Sequence, residues 1–236
     1  PIAVTRNHPD YPALLVASDW FGKHRSSGGN LYSRMREIRG LNYGDYSYIE
    51  YFTNGMYQFE PDPNMFRRSQ IFQIWIRPVE PPTAYFALRL ALFELDRLVD
   101  RGMTESDFET TRDFVARSVN LLMKTKSAEL GYAIDSKVYG IPEYGKYVQD
   151  ALAKLTYAQV QAAIKKHLRK DRLHIVAITD NGEAFKKMLL ADEPSPMKYN
   201  SPKPGDVLEE DKVVAVKRLG LKAEQITVIP EERVFQ

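Results

Sequence analysis

The sequence predicts an α+β fold, a mostly antiparallel or mixed sheet with helices packed on one face. Three observations lead there. Two apolar, aromatic-rich runs, "YSYIEYFT" (46–53) and "QIFQIWIR" (70–77), follow one another as a hairpin-like pair, with partial alternation along each. The helical patterns are gathered in blocks instead of alternating with single strands, which argues against a doubly wound α/β sheet. Strand patterns then return late in the chain, in "LHIVAI" (173–178), "DKVVAV" (211–216) and "QITVIP" (225–230).

Pro1-Ile2-Ala3-Val4-Thr5 has no initiator Met and reads as the end of a strand, so the chain is expected to be a piece of a longer polypeptide. Asn7-His8-Pro9-Asp10 is a turn, with Asp10 placed to cap a helix that tolerates Pro12 in its first turn. Tyr11, Leu14, Leu15 and Phe21 continue that helix at helical spacing. After the loop at residues 24–30, a second helix carries Leu31, Met35 and Ile38 on one face and ends at Gly40. The two strand runs follow, joined through the Pro-rich residues 60–64. Pro81-Pro82-Thr83 opens a long helix that reaches Val99 and closes at Arg101-Gly102. Thr104 with Asp107, and Thr156 with Gln159, have capping-box spacing and start two more helices. Between them, residues 128–139 form another helix, stopped by Gly140-Ile141-Pro142. Asp180-Asn181-Gly182 turns the chain into a helix around Phe185, Met188 and Leu189, and residues 194–204 are an extended linker. This divides the chain into a domain over 1–205, with its opening strand or strands upstream, and a C-terminal β extension over 206–236 packed on the same domain.

Composition excludes several function classes. The 236 residues carry 33 basic and 31 acidic side chains, a net charge of +2, with 44% hydrophobic and 27% charged residues. This is an ordinary globular balance with no basic concentration for nucleic acid. No apolar run approaches the roughly 20 residues of a membrane-spanning helix. There is no cysteine, which removes disulfides, thiolate metal sites and cysteine nucleophiles, and is compatible with either periplasm or cytoplasm. The histidines, His8, His24, His167 and His174, form no zinc-motif spacing, so no metal ligand is expected in this chain. His174 reads as a satisfied core residue of a buried strand, and His167 as a helix C-terminal charge. No Gly-x-Ser-x-Gly or comparable nucleophile pattern occurs. The "SSGGN" loop (26–30) could hold an anion on free amides, though Ser and Gly are common before helices for turn reasons alone.

Arg36 and Tyr43 have two readings on physical grounds. They are a helix-end charge and a strand-entry aromatic, or two donors able to converge on one carbonyl oxygen. The surrounding "SRMREIRGLNYGDYSY" (33–48) resembles the second half-domain of pitrilysin-type zinc peptidases, which include mitochondrial processing peptidases, insulin-degrading enzymes and many bacterial zinc proteases. Arg36-Glu37-Ile38-Arg39-Gly40-Leu41-Asn42-Tyr43 fits that family's Arg-Glu-x-x-Gly-Leu-x-Tyr pattern throughout. The resemblance extends through "HPDYPALLVASDWFG" (8–22), "LVDRGMTESDFETTRDFVARSV" (98–119) and "LTYAQVQAAIKKHLRKDRLHIVAIT" (155–179), in the family's order.

The resemblance implies two homologous half-domains facing each other across a chamber. Zinc would be held by His-x-x-Glu-His in the first. Tyr43 would steady the oxyanion, and Arg36 would bind a substrate backbone carbonyl, both acting in trans. Arg34 and Arg39 would be surface charges, and Tyr46, Tyr48 and Tyr51 sheet packing. The motif His-x-x-Glu-His is absent here. The expected partner is therefore a zinc-bearing N-terminal half-domain or subunit, the expected ligand a peptide, and a dimer is admissible. This chain alone is expected to hold no cofactor and cut nothing. Bacterial members are often periplasmic, which favours that compartment. The alternative within the family is a non-catalytic scaffold or partner subunit that only binds polypeptide.

Overall fold

Tyr11, Leu14, Ala17 and Phe21 recur at helical spacing and are all buried, and around this face the rest of the chain assembles. The computed structural model describes residues 4–24, 26–51 and 62–234. The expected linker residues 60 and 61, the end of the first strand run at 52–53 and the opening residues 1–3 lie outside them.

Helix α1 spans Tyr11–Gly22. A six-residue π-helix, Tyr32–Glu37, follows, and then strand β1, Asp45–Tyr48. Strand β2, Gln73–Ile76, pairs antiparallel with β1, with Tyr46 opposite Trp75 and Ser47 opposite Ile74. Both strands are shorter than the sequence runs that announced them. Beyond β2 the chain is helical: α2 Ala84–Arg101, α3 Glu105–Ser118, α4 Lys126–Tyr139, α5 Tyr144–Leu152 and α6 Tyr157–His167. Helices α7, Gly182–Ala191, and α8, Gly205–Ala215, close the fold. Capping chemistry sets several starts. The Thr104, Thr125 and Thr156 hydroxyls accept from the backbone N–H groups of the third residue of α3, α4 and α6, and Gln159 completes a reciprocal box.

Layering follows from side-chain alternation along β1. Ser47 faces α1, where it hydrogen-bonds Ser18, and α1 packs on β1 while α2 packs on β2. Tyr46 and Tyr48 point the other way and form an aromatic cluster with Tyr32 and Trp75. The strand comes so close to α1 that a Cβ at Gly22 would lie 2.5 Å from the Ser47 amide nitrogen, so glycine alone fits there. The main core lies on the α1 side. Leu14, Phe21, Phe86, Leu90, Leu95, Val148 and Ile164 are all nearly inaccessible, and α1 packs on both α3 and α6.

Several expectations are corrected. The "DKVVAV" run is the end of α8, not a strand. Val207, Asp211, Val214 and Ala215 are its buried residues, a helical spacing that the local Val-Val-Ala-Val alternation masked. Among the described residues the tail beyond it has two single-turn 3₁₀ segments, at 223–225 and 231–233, and no strand, where a β extension over 206–236 was expected. "LHIVAI" is extended but unpaired, with Val176 and Ile178 fully or almost fully exposed, and His174 is exposed with it instead of sitting in a core. An apolar run becomes a buried strand only when a ladder partner lies beside it, and none does among the described residues. Asp10 precedes α1 without any side-chain cap bond. Helix α5 was not anticipated. Glu143 caps it, accepting from the N–H groups of Gly145 and Lys146.

Buried charge joins distant parts of the chain. The Arg89 guanidinium, fully buried on α2, donates to the backbone oxygens of Glu193 and Ala215, the Ser195 hydroxyl and the Asp192 carboxylate, all at 2.7–2.8 Å. Arg6 makes a two-toothed pair with Glu50 and a third bond to Asp135 on α4, with its guanidinium over the rings of Tyr132 and Tyr144.

Candidate functional site at the Arg36–Tyr43 corner

The π-helix and the turn into β1 form a corner built to present two side chains. Its wide turn is closed by the Ile38 N–H donating to the Ser33 carbonyl, five residues back. Gly40, at φ +66°, then reverses the chain in the left-handed region, where other residues are strained. Its N–H donates to the Arg36 carbonyl at 2.8 Å, and the Leu41 N–H to the Met35 carbonyl at 3.0 Å. Met35 and Leu41 are buried and pin both arms of the corner to the core.

Asn42 organises the next step. Its amide donates to Asp45 Oδ1 (2.7 Å) and the Arg77 carbonyl (3.1 Å), while its own oxygen accepts the Gly44 N–H (3.0 Å). With Asn42 and Asp45 fixed, Tyr43 between them projects outward and is 75% exposed. The Arg36 guanidinium lies over the Tyr43 ring at 4.8 Å and over the Tyr32 ring at 4.7 Å. Arg36 and Tyr43 are thus brought together, seven residues apart in sequence and in contact in space. Arg36 has no ion pair among the described residues, so its N–H groups remain available to a ligand. Two stacked rings restrict the guanidinium and so reduce the entropy lost when it binds one.

Tyr32 was missed by sequence reasoning, although its spacing of four from Arg36 on a helical segment was a usable signal. Arg34 and Arg39, expected as surface charges, are corrected. Arg34 bonds Glu94 and Glu210. Arg39 has a fully buried side chain that pairs with Asp211 at 2.8 Å and Glu210 at 2.7 Å on α8, and donates to the Arg34 carbonyl. Tyr46 and Tyr48 are sheet packing, as expected. Tyr51, beyond β1, carries the Arg67 guanidinium over its ring at 3.8 Å.

Electrostatically the corner is shaped by Asp45. Burial pushes its carboxyl up to about 7, against the opposing hydrogen bonds from Asn42 and the Arg77 backbone. The anion reading of "SSGGN" loses ground in the structure, since the Gly28 and Gly29 N–H groups donate to Ser26.

Beside β1, a small cavity of about 40 Å³ is lined by Arg6, Tyr11, Ser18, His24, Glu50 and Tyr144, among others. The His24 ring stacks on Tyr46 at 4.5 Å, and its Nδ1 shares a short hydrogen bond with the Tyr48 hydroxyl. The zinc that the resemblance implies does not fit the Arg36–Tyr43 corner, which offers N–H and O–H donors instead of a set of lone pairs.

No family model matches the sequence, and no curated protein matches it. Solved structures do. The peptidase M16 inactive domain from Pseudomonas fluorescens is 24% identical over 72% of this chain, with a TM-score of 0.54. The chain spans only 36% of that protein's length. A candidate zinc protease from Bordetella pertussis Tohama I is 13% identical, covered over 72% of this chain and 85% of its own, with a TM-score of 0.51. With helices packed against an antiparallel strand pair, the chain has the α+β fold seen in that peptidase M16 inactive domain.

Proposed function

We propose that this chain is the substrate-binding half of a zinc-dependent peptidase of the pitrilysin type, contributing Arg36 and Tyr43 to a zinc centre held by another half-domain or subunit. The observation that carries this reading is the corner itself: Arg36 lies over the rings of Tyr32 and Tyr43, with Tyr43 three-quarters exposed, on a fold found in a peptidase inactive domain.

Zinc in the other half supplies the activated water. The part played by this chain is positioning and charge stabilisation. As the scissile carbonyl becomes tetrahedral its oxygen gains negative charge, and the Tyr43 hydroxyl donates to it. Arg36 donates to a neighbouring backbone carbonyl of the extended peptide and holds it in register. Both groups are set before substrate arrives, which is what gives such donors their effect.

The experiment is Tyr43→Phe in the assembled, zinc-loaded enzyme. Phenylalanine keeps the ring that supports Arg36 and removes only the hydroxyl. Turnover is expected to fall roughly 10²–10³-fold, the usual loss for one such donor, with thermal stability unchanged. Unaltered turnover would overturn the reading in favour of a scaffold that only binds polypeptide.

A further inference from the structure

The turn before α1 and the last turn of α6 bring together a group of side chains that the Arg36–Tyr43 corner does not use. The turn is fixed by the His8 N–H donating to the Thr5 carbonyl and the Tyr11 N–H to the His8 carbonyl. Asp10, which leaves its capping role unfilled, directs its carboxylate across to α6. There Oδ2 meets His167 Nε2 at 2.8 Å and Lys166 Nζ at 2.7 Å. The His8 ring stands edge-on to the His167 ring, with centroids 5.3 Å apart. One imidazole nitrogen from each histidine and one Asp10 oxygen all lie within 4.8 Å of one another at half-buried positions, and His8 Nδ1 also accepts the Asp10 N–H at 3.0 Å.

We propose that His8, Asp10 and His167 form a binding site for a divalent transition-metal ion of the zinc class that ties the start of α1 to the end of α6. Two imidazoles and a carboxylate are the donor set that such ions prefer, with water completing a tetrahedron. Calcium and magnesium, which favour oxygen ligands, do not suit it. The Lys166 ammonium already occupies the cationic role beside Asp10. Its side chain is 62% exposed and flexible, so a bound ion displaces it to solvent. Lysine and metal therefore compete for one carboxylate. No sequence motif announces the site, because 157 residues separate Asp10 from His167.

The test is calorimetric titration of the chelator-treated protein with zinc chloride, alongside thermal unfolding with and without zinc. One equivalent should bind and raise the melting temperature. His8→Ala and His167→Ala should each weaken binding by at least roughly 10–100-fold, the loss typical of mere outer-shell partners. Lys166→Met should tighten it, a gain that a damaged fold cannot mimic. His174→Ala, which removes the exposed histidine of the 173–178 segment, should change nothing. The proposal is overturned if neither wild type nor Lys166→Met binds zinc. It is equally overturned if binding survives both His8→Ala and His167→Ala, or is lost in His174→Ala.

Discussion

Under the proposed function Arg36 and Tyr43 have different tasks at one corner, so their substitutions should differ in kind. On the proposed function, Arg36→Ala in the assembled enzyme would remove a donor that meets the peptide backbone before and during reaction. It should raise KM for extended peptides more than it lowers kcat; an unchanged KM and kcat would make Arg36 a helix-end charge only. Asp45, two residues beyond Tyr43, makes a pH prediction. Its folded pKa of about 7 lies above the unfolded value of about 3.9. Between those values the folded state keeps a proton that the unfolded state has released. The stabilising contribution of Asp45 is therefore complete below pH ~4 and is lost as pH rises toward ~7, on the order of 3–4 kcal/mol at most. Asp45→Asn should flatten stability across that window in urea titrations at several pH values. A wild-type slope retained in the variant would show that Asp45 titrates normally. At this scale the sequence revealed the pair but not its support. The Arg-Glu-x-x-Gly-Leu-x-Tyr pattern marked Arg36 and Tyr43, whereas Arg39 looked like the same kind of exposed cation. Its partners, Glu210 and Asp211, stand 171 and 172 residues away, beyond any local pattern.

Among the elements, α8 depends most on such distant charge. Arg39 is fully buried against it, Tyr199 also donates to Asp211, and α8 packs on α2. Arg39→Met keeps the volume but removes the buried cation from beside Glu210 and Asp211, and breaking a buried pair in this way costs up to about 3–5 kcal/mol. Chemical denaturation should show that loss, and faster amide exchange should appear first in α8. A midpoint within error of wild type would mean that Arg34 and Arg97, which also bond Glu210, carry the load. Helices with side-chain caps were legible because Thr104 and Thr156 announce themselves three residues ahead of their partners. Helix α8 has Pro204 at its N-cap with no side-chain bond, and its Val-rich end imitates a strand. Helix α5 was missed because its cap is a glutamate, Glu143, outside the usual Ser/Thr/Asp/Asn set.

For the whole molecule, the chain is expected to be catalytically silent alone and competent only beside a zinc-bearing half. Purified by itself with zinc supplied it should cleave no unfolded polypeptide, and mixing with such a half should restore cleavage. Activity in the isolated chain would contradict the division of labour. The α+β class and the hairpin were legible because they rest on periodicity within single segments. The 173–178 run was misjudged for the opposite reason: burial of a strand is a property of its neighbour, which periodicity does not encode. That segment now exposes Val176 and Ile178 with no ladder partner among the described residues, an edge open to pairing with another extended chain.

The π-helix at Tyr32–Glu37 carries a consequence for descent. A single π turn is an α-helix that has accepted one extra residue. Each residue adds about 100° of rotation around a helix axis, so a relative one residue shorter here would swing its arginine away from the aromatic partner while keeping every letter of the Arg-Glu-x-x-Gly-Leu-x-Tyr string. Segment length between residues 31 and 43 is therefore as much a mark of the Arg36–Tyr43 corner as residue identity. Insertions and deletions in this window separate lineages that could have kept the arrangement from those that could not.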